Sequence, residues 1–125
     1  MMVSTITRPA MTKIGTPVEV GTIKQTSKAV NTDYFATNLS PQANAGPVLH
    51  RIQIRLATGS IVKVEMDDGT NTNIEYDLNG GTALGAGQVF IFDIVVPQGY
   101  SYNIQHETGT QLVDCQVMEL QQLTG

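Results

Sequence analysis

Side-chain oxygens are crowded between residues 67 and 73, where Asp67, Asp68, Asn71 and Asn73 occur within the stretch DDGTNTN. Hard cations such as Ca²⁺ are bound by oxygen ligands of this kind. The spacing differs from that of an EF-hand loop, and no glutamate stands where the bidentate ligand of such a loop would be. Asp-Gly is a strong turn signal. We therefore predict a solvated hairpin tip without a bound metal.

The two histidines, His50 and His106, are the other candidate metal ligands. They lie far apart in the sequence, and His106 directly precedes a turn signal. A zinc site needs at least three protein ligands, and the sequence offers no third partner at a suitable spacing. We predict that both histidines lie at a rim or an interface, and that the protein holds no metal and no other cofactor.

The candidate nucleophiles in the sequence are one cysteine and several serines. Cys115 lies in an alternating apolar pattern with Val113 and Val117 on its face, and no cationic neighbour in the sequence would lower its pKa. We predict a buried structural thiol. No serine occupies a strand-turn-helix elbow, and no paired carboxylates are evident. The sequence therefore predicts a protein that is not an enzyme.

Two tyrosines could bind a ligand by stacking. Tyr100 and Tyr102 share the parity of one strand, with Asn103 and Gln105 opposite. Such rings could form a platform for a sugar, as in carbohydrate-binding β-sandwich modules. Sugar platforms favour tryptophan, and the chain has none. Sugar binding is therefore an alternative to the main prediction below.

The elements that must position these residues are strands. Short runs rich in β-forming residues alternate with turn residues from Val18 onward, and no run has a convincing helical period. We predict an all-β fold, a single-domain two-sheet β-sandwich of about eight strands over residues 18–125. A jelly-roll topology is expected, with an immunoglobulin-like order as the alternative. The expected strands are 18–24, a weak strand 29–35, 48–56, 61–66, 74–78, 88–96, 100–105 and 111–120, with an exposed polar loop at 38–47.

Alternation within these runs predicts which side chains point inward, because successive residues of a strand face opposite sides. The expected inward residues are Ile52, Ile54 and Leu56, then Val62, Val64 and Met66, then Ile74, Tyr76 and Leu78.

The run QVFIFDIVV at 88–96 is apolar on both faces of its strand. One face carries Phe90, Phe92, Ile94 and Val96, which we expect to form the sandwich core. The other carries Val89, Ile91 and Val95 together with Asp93. A two-layer domain covers only one face of a strand, so this second face is expected to be covered by another subunit or by a terminal arm. Val89, Ile91 and Val95 are therefore candidate interface residues.

Residues 1–17 are rich in threonine and broken by prolines, with no sustained strand or helix period. We expect an extended N-terminal arm that becomes ordered on a neighbouring subunit, with Pro9 and Ile14 as candidate contacts.

Composition limits the classes of partner. A chain of 125 residues fits one domain. Charged residues make up 14% and the formal net charge is −4, so there is no basic stripe to neutralise phosphates and nucleic-acid binding is disfavoured. No apolar run is long enough to span a membrane, and the N-terminus lacks the apolar region of a signal peptide. We expect synthesis in a host cytoplasm and no membrane partner.

The stretch VKVEMDDGTNTNIEYDLNGGTALGAGQVFIFDIVVPQGYSYNIQHETGT, about 50 residues from position 62, resembles β-sandwich modules of small virion proteins of tailed bacteriophages, among them capsid decoration (cement) proteins. The likeness lies in the order of its strands and turns, and no functional residue is carried over. It implies a subunit of the virion that binds the major capsid protein or other virion subunits and reinforces the shell. It also implies a homo-oligomer, with a trimer favoured. A tail, fibre or adaptor subunit is the alternative within the same class.

Overall fold

The computed structural model describes residues 17–42, 47–71 and 74–120, and within them the protein is all-β with no helix. These residues form seven strands, each antiparallel to its neighbours. The strands are β1 (Val18–Lys28), β2 (Val48–Leu56), β3 (Val62–Asp67), β4 (Ile74–Asp77), β5 (Val89–Val96), β6 (Ser101–His106) and β7 (Gln111–Glu119).

The strands form two sheets. A four-stranded sheet has the order β1-β7-β2-β5, and a three-stranded sheet has the order β4-β3-β6. Buried side chains from both sheets form a single hydrophobic core. The all-β, two-sheet class predicted from the sequence is therefore confirmed, and the arrangement is that of a β-sandwich.

The core is formed by the inward faces that alternation predicts. Ile52, Ile54 and Leu56 of β2 are fully buried, and the predicted inward residues of β3 are buried opposite them. The weakest agreement is in β4, where Ile74 and Leu78 are half-buried and Tyr76 is 41% exposed. The prediction that Tyr76 points into the core is therefore wrong. β4 is a short edge strand, and its side chains have few neighbours to pack against.

The weak strand predicted at 29–35 is wrong, and it accounts for the difference between the eight strands expected and the seven described. Asn31 has a positive φ of 55°, which breaks an extended course. The segment instead bonds to β6: Tyr34 N–H donates to the Ile104 carbonyl at 2.9 Å, and Leu39 and Tyr102 exchange two backbone bonds at 2.8 and 2.9 Å. The segment from 31 to 39 thus covers the free edge of β6.

This covering segment is anchored by Tyr34, Phe35 and Leu39, which are all buried. Gly21 of β1 makes room for it, since a Cβ at that position would lie 2.9 Å from the Phe35 ring and 3.1 Å from Leu39. The loop predicted to be polar and exposed at 38–47 therefore begins inside the core at Leu39.

The predicted N-terminal arm, with Pro9 and Ile14, lies outside the described residues. In the described ranges no helix has the length and apolar character needed to cross a membrane.

Candidate functional site

Among the described residues, the strand β5 lies at the edge of the four-stranded sheet and is paired on one side only, with β2. The pairing runs without interruption from Val48 opposite Val96 to Arg55 opposite Val89. Alternate residues of an edge strand turn their N–H and C=O groups away from the sheet. β5 therefore offers a regular row of backbone donors and acceptors to its surroundings.

The outward face of β5 is apolar and exposed. Val89, Ile91 and Val95 are 56%, 58% and 60% exposed, the highest values among the large hydrophobic side chains of the described residues. The prediction that this face lies outside the core of the subunit is confirmed. Contiguous exposed apolar side chains of this kind are typical of interaction surfaces. We call these three side chains and the free edge of their strand the β5 surface.

The inward face of β5 is only partly covered. Val96 is buried, but Phe90, Phe92 and Ile94 are half-buried and pack against the margin of the core. The two phenylalanine rings are stacked, with centroids 6.4 Å apart. The expectation that this whole face forms the core was thus too broad, because an edge strand receives neighbours from one side only.

Asp93 is the only charged residue of β5, and it lies on the outward face between Ile91 and Val95. Its carboxylate accepts two hydrogen bonds from the guanidinium of Arg51 on β2, Nε to Oδ1 and Nη2 to Oδ2, both at 2.9 Å. This pairing lowers the pKa of Asp93 and raises that of Arg51. The β5 surface therefore has no uncompensated charge.

A shallow depression of about 260 Å³ adjoins the β5 surface on the outer face of the same sheet. It is lined in part by Val89, Gln53, Gln116, Arg55 and Asp114. The Arg55 guanidinium lies 3.4 Å from the Asp114 carboxylate, which also accepts two bonds from Gln25. Arg55 and Asp114 are therefore paired with each other, and Lys24 adds a further positive side chain to the lining.

The histidines do not lie at a rim, contrary to the sequence-based prediction. His50 is fully buried beneath β2, where Nδ1 lies 2.6 Å from the Tyr102 hydroxyl and Nε2 lies 2.9 Å from a Glu119 carboxylate oxygen. Because a carboxylate only accepts hydrogen bonds, Nε2 is the donor and Nδ1 accepts from the tyrosine. Burial lowers the pKa of His50, although the hydrogen bond and charge of Glu119 act in the opposite direction.

His106 is held in the same way. It is fully buried, its Nδ1 lies 2.8 Å from the Tyr34 hydroxyl, and its Nε2 lies 2.7 Å from the Gly109 carbonyl. Each histidine thus pairs with a different buried tyrosine. The hydrogen-bonded side chains of Tyr102, His50 and Glu119 are of the residue types found in proton relays. All three are enclosed in the core, where no substrate can reach them. We interpret both pairs as structural.

The predicted sugar platform is not formed. Tyr102 is fully buried and bonded to His50, and Tyr100 is half-buried in the turn before β6. The opposite face of β6 is covered as well: Asn103 bonds to the backbone N–H and carbonyl of Phe35, and Gln105 bonds to Asp33. A stacked sugar needs an exposed ring, so Tyr102 cannot serve as predicted.

The oxygen-rich loop uses its carboxylates to hold its own backbone. Asp68 Oδ1 accepts bonds from the N–H groups of Thr70 and Asn71 at 2.8 and 2.7 Å, and Asp67 Oδ1 accepts from Gly69 at 2.7 Å. These backbone bonds lower the pKa of Asp68. Asn73 lies outside the described residues. Within the described ranges, no cluster of three or more His, Cys, Asp and Glu side chains is suited to a metal ion.

Cys115 is buried on β7 between Val113 and Val117, as the alternation predicts. Burial raises the pKa of its thiol. The thiol therefore stays protonated, and its environment is that of a structural residue.

The comparisons with known proteins assign no family. A scan of the sequence against protein-family models gave no match, and no curated protein matched it.

Proposed function

We propose that the protein is a non-enzymatic structural subunit of a virus particle, a decoration or minor capsid protein that binds to an assembled shell and reinforces it. Its partners are the major capsid protein or other virion subunits, and its place is the virion. The observation that supports the proposal is the β5 surface, which is apolar, carries no uncompensated charge and has a free edge that no strand of the described ranges pairs with. Exposure of such a surface to water is unfavourable in free energy and invites aggregation. Burial against a neighbouring subunit removes this exposure.

A jelly-roll topology is part of the proposal. With the segment 34–39 counted as the second element, beside β6, the two sheets have the orders 1-8-3-6 and 2-7-4-5. This is the order of an eight-stranded jelly roll, a fold common in viral capsid proteins and also in lectins. The fold supports a particle subunit by analogy only, because one fold serves many functions.

The buried polar groups favour structure over chemistry. Both histidines, Cys115 and Tyr102 are enclosed in the core. The hydrogen bond between His50 on β2 and Tyr102 on β6 joins the two sheets, and both histidine–tyrosine pairs are closed to a ligand. A rigid subunit with one exposed apolar edge is what attachment to a lattice requires.

Co-sedimentation with particles tests the proposal. Phage particles prepared without this protein are incubated with the purified wild type, with Ile91→Ser or with Leu112→Ser. Leu112 is the matched control, since it is 42% exposed but lies on β7, separated from β5 by β2. We expect the wild type and Leu112→Ser to pellet with particles but not with free coat subunits. Ile91→Ser should need about tenfold more protein for half-saturation, because it removes a central apolar anchor.

A folded Ile91→Ser protein that pellets like the wild type would contradict the role of the β5 surface. Failure of the wild type to bind shells, tails or fibres would contradict the virion assignment as a whole. Binding to tails or fibres alone would place the protein there in place of the capsid.

A further inference from the structure

We infer that the neighbour covering the β5 surface is a second copy of this chain, and that two β5 strands pair antiparallel about a twofold axis at Phe92 to join two four-stranded sheets into one. The inference rests on the proposed function, because that function requires a subunit to cover the β5 surface and the inference says which subunit it is.

Comparison of the strand edges in the described residues singles out β5. β1 carries two register shifts, at Glu19/Gly21 and Ile23/Thr26, and a positive φ of 44° at Gln25. β4 has only four residues, two of them acidic. β6 is covered by the segment 31–39. These are the devices by which proteins protect sheet edges from pairing. β5 is eight residues long, regular, and contains neither lysine nor proline, and its one charged residue, Asp93, is paired with Arg51.

The sequence of β5 is complementary to itself. Side chains directly opposite each other in an antiparallel pair lie on the same face, so a twofold axis at Phe92 matches residue numbers that add up to 184. Val89 then lies opposite Val95 of the second copy, Phe90 opposite its Ile94, and Phe92 opposite its counterpart. These pairs are apolar, and the remaining pair on the outer face places Ile91 opposite Asp93 of the second copy. The half-buried phenylalanine rings gain cover from the partner, and the exposed valines gain neighbours on the outer face.

Charge selects this register over the next one. An axis at Asp93 would place the two Asp93 carboxylates opposite each other, and like charges directly across a ladder are destabilising. With the axis at Phe92, Asp93 lies opposite Ile91 of the second copy and keeps its bonds to Arg51. β5 therefore contributes no unpaired charge to the dimer contact, although the net charge of the chain is −4.

Pairing of this kind buries the free edge of β5 inside the dimer, so the dimer contacts the lattice through other surfaces, once with each subunit. Linked binding sites raise the overall affinity without any new contact to the lattice. The resemblance to decoration proteins implies a trimer, which has threefold symmetry. A contact between two β5 strands about a twofold axis gives a dimer instead.

The test is the mass in solution together with a site-directed disulfide. Light scattering during gel filtration should give twice the 13.5 kDa subunit mass for the wild type and for Leu112→Ser, and the subunit mass for Ile91→Ser. In the variant V89C/V95C, the two cysteines face each other across the axis at a separation that a disulfide can span. Mild oxidation should convert most of this protein to a covalent dimer. The native Cys115 is buried and does not compete.

The control variants are I91C/V95C, which reports the register centred on Asp93, and L112C on β7. Each is oxidised at a concentration at which light scattering shows it to be dimeric, and both should cross-link at least fivefold less. A monomeric or trimeric wild type, or cross-linking that is stronger in either control, would overturn the inference. A variant that starts at Val18 should remain dimeric. Its conversion to a monomer would show that the dimer contact is made by the N-terminal segment and not by β5, which also overturns the inference. If the wild type is monomeric while Ile91→Ser still loses attachment to particles, the dimer is wrong and the proposed function stands.

Discussion

Arg51 on β2 and Asp93 on β5 lie directly opposite each other in the ladder and are joined by two hydrogen bonds of 2.9 Å. The two side chains are 47% and 37% exposed, so the pair contributes little to the stability of a free subunit. Under the proposed pairing of two β5 strands, we expect its effect to fall on association, because it neutralises the only carboxylate on the β5 surface, which would be dehydrated on binding.

A double-mutant cycle on this pair tests that effect. Arg51→Ala leaves Asp93 uncompensated within the contact, so we expect self-association to weaken by about tenfold. Asp93→Asn in the same chain should restore most of the loss, because it removes the charge that needed a partner. Sedimentation equilibrium of the four proteins gives the coupling. Equal losses in Arg51→Ala and in the double variant would show that the charge of Asp93 is irrelevant.

The buried His50 predicts a fall in stability on mild acidification. Burial lowers the pKa of His50 below its ordinary value of 6.5, so the unfolded chain takes up a proton at a pH where the folded protein does not. The contribution of neutral His50 is complete above pH 6.5 and is lost as the pH falls towards the lowered pKa. We expect the free energy of unfolding to decline between about pH 7 and pH 5.

Urea unfolding across this range is the measurement, with His50→Gln as its control. The glutamine keeps a donor and an acceptor near Glu119 and Tyr102 but has no proton to gain. The decline over this interval should be mostly absent in His50→Gln. Carboxylates with lowered pKa values, such as Asp68, titrate at more acid pH and do not confuse the result. An equal decline in both proteins would contradict the assignment to His50.

The loop at 67–71 should be independent of calcium. Its carboxylates already accept bonds from the N–H groups of Gly69, Thr70 and Asn71. We expect neither a chelator nor added Ca²⁺ to change the melting temperature of the wild type by more than about one degree. The D67N/D68N variant should fold, since an amide oxygen can accept the same bonds. A melting temperature that falls on chelation would show that a cation occupies the loop.

The alternation of apolar and polar residues along each strand is what allows the sequence to predict most of the core. The inward faces of β2, β3 and β7 follow from parity. Both faces of β5 are apolar, so there parity only separates the two sets, and the uninterrupted run with two phenylalanines indicates which set points inward. The same rule could have placed the histidines: His50 shares its parity with Ile52 and Ile54, and His106 with Tyr102 and Ile104. The rim prediction is wrong because a titratable side chain is fully buried only where it finds partners. The partners, Glu119 and Tyr34, come from distant parts of the chain.

The burial of β6 on both faces could not be read from its own residues. Asn103 and Gln105 have the polarity of an outward face, and they are covered because the segment 31–39 crosses them. The contacts join residues 65 to 72 positions apart. A pattern within one strand carries no information about a covering segment so far away.

Hydrogen exchange on the assembled particle tests the central claim most directly. The claim is that another subunit covers the free edge and the outward face of β5. Peptides spanning 89–96 are compared between the protein at high dilution and the protein bound to particles, with peptides of the irregular edge strand β1 as the internal reference. We predict that exchange within 89–96 slows by at least tenfold on assembly and that exchange in β1 changes much less. Exchange within 89–96 that stays the same in the bound protein would contradict the account.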